Sequence, residues 1–219
     1  SNDSIIAEGI TTLQGLKEGT WKHYYPGGSL HFKGSYEDGE KEGEWKFYAT
    51  SGELIQEGFY RDGQFHGTWK WYYLNGKLHR KEQYRKGKED GLFEEWDTFE
   101  KQILRGDYEL GRKTGEWIQD VNDHREVGEF VDGEKNGIWI HTFPNGTEQF
   151  KGEYTLGQPE GKHVYRLLSG NIQKIERYQG GEKNGKWIQY GPNQTLQQSL
   201  EYKDDLLIKI DGQKVKTKE

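Results

Sequence analysis

Polar and apolar positions along this chain alternate in short stretches, and apolar residues nowhere recur at helical spacing over a useful length. Glycines and rings recur instead. Gly15, Gly39, Gly63, Gly87, Gly111, Gly133, Gly157 and Gly181 stand 24, 24, 24, 24, 22, 24 and 24 residues apart, each followed four residues on by a second glycine, from Gly19 to Gly185. Two positions past the second glycine runs a lane of Trp21, Trp45, Trp69, Phe93, Trp117 and Trp139, then His163 and Trp187. Three positions before the first glycine runs another, from Tyr36 through Phe130 to Tyr178, and Tyr202 opens an incomplete ninth unit. A repeat of this length signals a solenoid or array, so the unit is read before any motif.

Each unit reads as two short strands. One runs into Tyr-x-x-Gly, a turn spans Gly-x-x-x-Gly, and the second runs through Trp-x-x-Tyr, as between Tyr36 and Leu54. Asp38-Gly39, Asp132-Gly133 and Asn136-Gly137 are pairs that accept positive φ at hairpin turns. The fifth unit lacks two residues after Trp117, and an even loss preserves strand facing. Trp and Tyr three apart in the second strand place rings on both faces.

The pattern predicts an all-β fold, an elongated antiparallel β-meander in a single twisted sheet of about eight hairpin repeats. At about 4.8 Å per strand its length would be on the order of 75 Å. The expected organisation is one repeat domain over 1–219, with an N-terminal cap at 1–11, repeats over 12–204 and a C-terminal capping hairpin at 205–219. The strands of that hairpin are expected at Leu206 to Ile210 and Gln213 to Lys216.

Composition sharpens this picture. Only 31% of residues are hydrophobic and 31% are charged, which would suit a disordered chain, but 8 Trp, 14 Tyr and 9 Phe oppose that reading. The net charge of −6 divides into −5 over residues 1–110 and −1 over 111–219, without the basic surplus that nucleic acid or an anionic membrane would require. There is no Cys, hence no disulfide framework or thiolate chemistry, and no apolar run reaches bilayer-spanning length. The absence of Met anticipates a trimmed chain, with Ser1-Asn2 as a tag remnant or processed end. A cytoplasmic and an exported protein both stay open.

The Gly-x-x-x-Gly-x-Trp spacing after an aromatic-x-x-Gly closely resembles MORN repeats, in the bacterial variant form found in antitoxin-like proteins. Gly63-Gln64-Phe65-His66-Gly67-Thr68-Trp69 carries the histidine common in that repeat. The resemblance runs from residue 12 to about 205 and departs from the pattern at Glu100, Asp120, His163 and Arg166. It implies a non-catalytic protein-interaction scaffold with an antitoxin-like or otherwise undefined bacterial role. A second reading, a binder of cell-surface glycan or cell wall, rests on Trp69-Lys70-Trp71-Tyr72-Tyr73-Leu74-Asn75-Gly76, which is similar to one unit of choline- and glucan-binding repeats. The repeats leave no room for a separate catalytic domain.

Chemistry-bearing patterns are sparse. His23, His31, His66, His79, His124, His141 and His163 are scattered with no His-x-x-x-His pair, so neither metal nor cofactor is expected, and nothing proposes catalytic residues. Charge-rich turns read as solvated loops. The ring lane two positions past each Trp offers His23, Phe47 and Trp71 before passing to Glu95 and Gln119. With Tyr25 and Tyr73 beside them, these are the candidate partner-binding residues, and the acidic surplus of that half favours a basic protein partner.

Overall fold

Asp38 and Gly39 take φ of 50° and 85°, and Asp132 and Gly133 take 52° and 87°. Two successive positive φ angles make a two-residue turn whose twist matches its flanking strands, so each pair closes a hairpin. A computed structural model describes residues 6–191 and 193–215, and those residues form strands and turns without a helix. Backbone contacts group the chain into two units, Ser1–Arg112 and Lys113–Glu219.

The first unit holds β1 (Ala7–Thr11), β2 (Lys17–Tyr24), β3 (Leu30–Glu37), β4 (Glu40–Tyr48) and β5 (Leu54–Arg61). It continues with β6 (Gln64–Tyr72), β7 (Leu78–Arg85), β8 (Lys88–Glu89), β9 (Gly91–Trp96) and β10 (Gln102–Glu109). The second holds β11 (Arg112–Val121), β12 (His124–Val131), β13 (Glu134–Thr142), β14 (Glu148–Thr155), β15 (Gln158–Arg166) and β16 (Ile172–Gln179). Its remaining strands are β17 (Glu182–Lys183), β18 (Gly185–Tyr190), β19 (Leu196–Lys203), β20 (Leu206–Ile210) and β21 (Gln213–Lys214). Within each unit successive strands pair antiparallel in a meander, as the repeat predicts.

Over its described residues the segment expected as an N-terminal cap is β1, paired with β2. At the other end β20 and β21 pair as a hairpin about Asp211-Gly212, while Lys216 lies outside the described residues.

The second glycine of each unit is not the end of a turn. Gly43 lies inside β4 with φ 72°, where Ser35 pairs with Glu42 but Lys33 pairs with Lys46. Three residues, Gly43 to Trp45, therefore face the single Gly34. Such a bulge kinks the strand and re-aims the side chain that follows it. Here it folds Trp45 over the neighbouring strand, where a Cβ on Gly34 would meet the indole at 2.2 Å. The Trp45 indole N–H donates to the Ser35 carbonyl at 3.1 Å.

The arrangement repeats. Trp69 covers Gly58 and donates to Phe59 O, and Trp139 covers Gly128 and donates to Glu129 O. His163, where a Trp is expected, is 1% exposed, reaches Gly152 and sits 2.8 Å through Nε2 from the Glu153 carbonyl. It reproduces the Trp contact with a smaller ring. Trp45, Tyr60 and Trp69 form a buried cluster, and edge-on Tyr rings separate the indoles, with Tyr60 5.5 Å from Trp45 and 5.0 Å from Trp69.

Two repeats put glutamate in place of the covered glycine. Glu82 and Glu176 are each 5% exposed, and each accepts a hydrogen bond from the Tyr two residues on, Tyr84 and Tyr178. At both places the following strand divides in two, β8 with β9 and β17 with β18. The ring is not displaced at Glu176, because the Trp187 indole N–H still donates to the Arg177 carbonyl at 2.9 Å, as Trp45 does to Ser35.

Rings do occupy both faces, as the spacing predicts. Trp71 packs 6.1 Å from Trp69, while Tyr72 donates to Glu57 at 2.6 Å on the other side. There Glu57 meets Lys46 at 3.5 Å and Lys70 at 3.8 Å, giving the first unit an ion-paired face. In the second unit Val164, Ile175 and Ile188 are cross-strand neighbours at the equivalent positions, with Ile175 buried.

The charged turns are not simply solvated. The Gly39 N–H donates to Lys17 O, Gly63 to Lys41 O, Gly133 to Lys113 O and Gly157 to Lys135 O, each turn leaning on the one before it. Glu18 accepts the Asp38 N–H at 3.1 Å and Glu42 the Asp62 N–H at 3.0 Å. Lys41 lies 4.5 Å over Trp45 and Lys135 3.9 Å over Trp139. Burial pulls both ammonium groups below their ordinary pKa, and Lys113 with them.

Candidate interaction face

Once the bulges are placed, strand register aligns side chains that are far apart in sequence. His23 pairs with Phe32, Phe32 with Phe47, Phe47 with Gln56, Gln56 with Trp71, and Trp71 with Arg80. These six half-buried residues make one row across β2 to β7, about 24 Å long at the usual strand spacing. Its floor is the buried Trp45–Tyr60–Trp69 cluster, against which Phe32, Phe47 and Trp71 pack.

Contacts within the row are close. His23 stacks on Phe32 with centroids 4.9 Å apart and planes 3° from parallel, and Phe32 lies 6.0 Å from Phe47. The Arg80 guanidinium covers Trp71 at 4.3 Å and reaches Glu82 at 3.1 Å. Burial raises the Glu82 carboxyl above the usual carboxylate range, against the opposing Tyr84 hydrogen bond and Arg80 charge. His31, whose Nδ1 is 3.4 Å from that of His23, is pushed below the usual imidazole range by burial and by His23.

The structure thus brings together three of the five sequence-chosen residues, His23, Phe47 and Trp71. Tyr25 and Tyr73 lie outside the row. Tyr25 tilts over His31 at 4.3 Å and donates to Tyr48 O at 2.9 Å, while Tyr73 tilts over His79 at 4.4 Å and donates to Trp96 O at 2.9 Å. Each ties its loop to a backbone carbonyl 23 residues on. Phe32, Gln56 and Arg80 escape the sequence reading, because they sit on the alternate strands and only register shows them.

The second unit has an equivalent row. Glu126 pairs with His141, His141 with Phe150, Phe150 with Tyr165, and Tyr165 with Lys174. Rings return at His141 and Tyr165, two positions past Trp139 and His163, so the lane does not end at Gln119. An open hollow of about 360 Å³ borders this row, lined by His141, Phe143, Phe150, Tyr165, Arg166 and Leu168 among others. No helix among the described residues is long and apolar enough to cross a membrane.

No protein of curated function matches the chain. A chain in the crystal structure of TcdB2-TccC3-Cdc42 is similar over 90% of the present chain and 13% of its own length, at 10% identity and a TM-score of 0.22, from which nothing about function follows. The MORN repeat variant model matches residues 17–38, 41–62 and 65–86. These are the strand pairs β2–β3, β4–β5 and β6–β7, the six strands that carry the ring row. Residues 17–86 of this chain thus match the MORN repeat variant model in three consecutive repeats.

Proposed function

We propose that the chain is a non-catalytic protein-interaction scaffold and that a protein partner docks on the row His23, Phe32, Phe47, Gln56, Trp71 and Arg80. MORN repeats are in general protein- or membrane-interaction repeats, and the row lies within the three matched repeats. The observation that carries the reading is the row itself, half-buried rings in register across six strands and ending on an arginine. Rings and Arg are the side chains that most often anchor protein interfaces. The acidic surplus of this half favours a basic partner, and an antitoxin-like role would make that partner a toxin protein. A glycan platform is the weaker reading, because the Arg80 guanidinium already occupies a face of the Trp71 ring.

Affinity capture from the source cells, compared between wild type and Gln56→Arg, tests this. Gln56 sits between Phe47 and Trp71, so Arg there obstructs the row without removing a ring from the core. Loss of a captured protein at a melting temperature within a few degrees of wild type supports the site. Unchanged capture by both Gln56→Arg and Trp71→Leu removes it.

A further inference from the structure

The repeat that is two residues short ends in a two-residue hairpin, in which Val121 pairs with His124. The short turn sets His124 at the start of β12, on the same strand face as Glu126. Glu126 pairs across to His141 of β13. One ligand atom from each of the three residues lies within 4.8 Å of the others.

The rings of His124 and His141 stack 5.1 Å apart and both turn Nε2 to the same carboxylate oxygen. His124 Nε2 is 3.1 Å from Glu126 Oε1, and His141 Nε2 is 3.8 Å from it. In a tetrahedral site with bonds of about 2.0–2.1 Å, donor atoms stand roughly 3.3–3.5 Å apart, so these two separations need to change by only a few tenths of an ångström, and the two imidazole nitrogens lie within 4.8 Å of each other. His124 Nδ1 is 2.7 Å from Asp123 Oδ1, the outer carboxylate partner that commonly fixes a ligating imidazole with its other nitrogen free for metal.

A second observation points to a ligand independently. His141 Nε2 is buried and has no hydrogen-bond partner, although it faces Glu126. A buried polar atom without a partner is costly. The Phe150 ring, 4.7 Å from His141, covers the apolar side of the group. With Glu126 and Asp123 ionised, two negative charges balance a divalent cation.

We propose that His124, Glu126 and His141 bind a borderline divalent metal ion, Zn²⁺ by the chemistry of two imidazoles and one carboxylate, with Asp123 positioning His124. The ion would clip β12 to β13 within the second unit, and three protein ligands leave a fourth position for water or a side chain of a bound protein. Searching for paired histidines at helical spacing misses the set, because on a sheet ligands converge through i, i+2 spacing and cross-strand register.

Calorimetric titration of chelator-treated full-length chain with ZnCl₂, followed by thermal melts, tests the proposal. Wild type is expected to bind one Zn²⁺ per chain and to melt higher with the ion. Glu126→Gln and His141→Gln are expected to weaken binding more than tenfold, Asp123→Asn about tenfold, and His66→Gln and His79→Gln to leave it unchanged. If His141→Gln fails to fold, His124→Asn at the strand end replaces it, and the visible absorption of Co²⁺ in the wild-type chain reports imidazole ligation. No Zn²⁺ binding by wild type overturns the site, as does binding that survives unchanged in Glu126→Gln and His124→Asn.

Discussion

The indole of Trp45 lies over Gly34 so closely that a Cβ on that glycine would come within 2.2 Å of the ring. The glycine is required by the neighbouring side chain and not by its own backbone. Gly34→Ala is therefore expected to displace Trp45 and cost about 1–3 kcal/mol, the range for overpacking a filled core. Gly27→Ala, with open space around the added carbon, should be neutral or slightly stabilising. Urea denaturation of the two variants checks the contrast, and equal effects would show that the ring is free to move.

Trp45 is fully buried while Glu44 is exposed and pairs with Lys46 at 3.1 Å. Trp45→Ala should cost on the order of 3–5 kcal/mol. Glu44→Ala should stay below about 1 kcal/mol. Small losses for both in denaturation would place the Trp lane at the surface.

The raised Glu82 carboxyl links stability to pH. Its folded pKa lies above its unfolded value, so the native state holds the proton more tightly and this group's contribution falls as pH rises through the folded pKa. Glu82→Gln, which still offers Tyr84 an acceptor, should match wild type below the ordinary carboxylate pKa and gain over it as pH rises. Melting curves at acid and neutral pH decide this, and a gap that narrows as pH rises contradicts the sign.

Removing the Tyr73 hydroxyl deletes its 2.9 Å bond to Trp96 O. Tyr73→Phe should cost about 1 kcal/mol and leave partner capture unchanged. Lost capture at full stability would return Tyr73 to the interaction face.

The meander was legible because the glycine and ring period exceeds any helical signal and the Asp-Gly pairs mark hairpin turns. The covering of glycine by Trp was harder to see, although Gly34, Gly58, Gly106, Gly128 and Gly152 recur two residues before the Tyr or Phe lane. Glu82 and Glu176 interrupt that lane, and a gap hides a period. The interaction row was half visible. His23, Phe47 and Trp71 share one place in the repeat, whereas Phe32 meets Phe47 only past the bulge at Gly43, Gln56 meets Trp71 only past the bulge at Gly67, and Arg80 meets Trp71 across the next hairpin, none of which strict alternation anticipates. Conversely, Lys41 and Lys135 read as solvated charges because sequence shows their charge and not the indole beneath it.

At successive hairpins of the first unit the turn glycine donates its N–H to the turn one repeat earlier, Gly39 to Lys17, Gly63 to Lys41 and Gly87 to Phe65. Every such junction is chemically the same as the next, so excising one whole 24-residue period from the regular stretch leaves a junction the chain already knows how to make. Excising half a period would leave a turn with nothing to lean on. Repeat number in this architecture can thus change in whole steps, and the reach of the ring row by two strands at a time, without redesign of any residue in it.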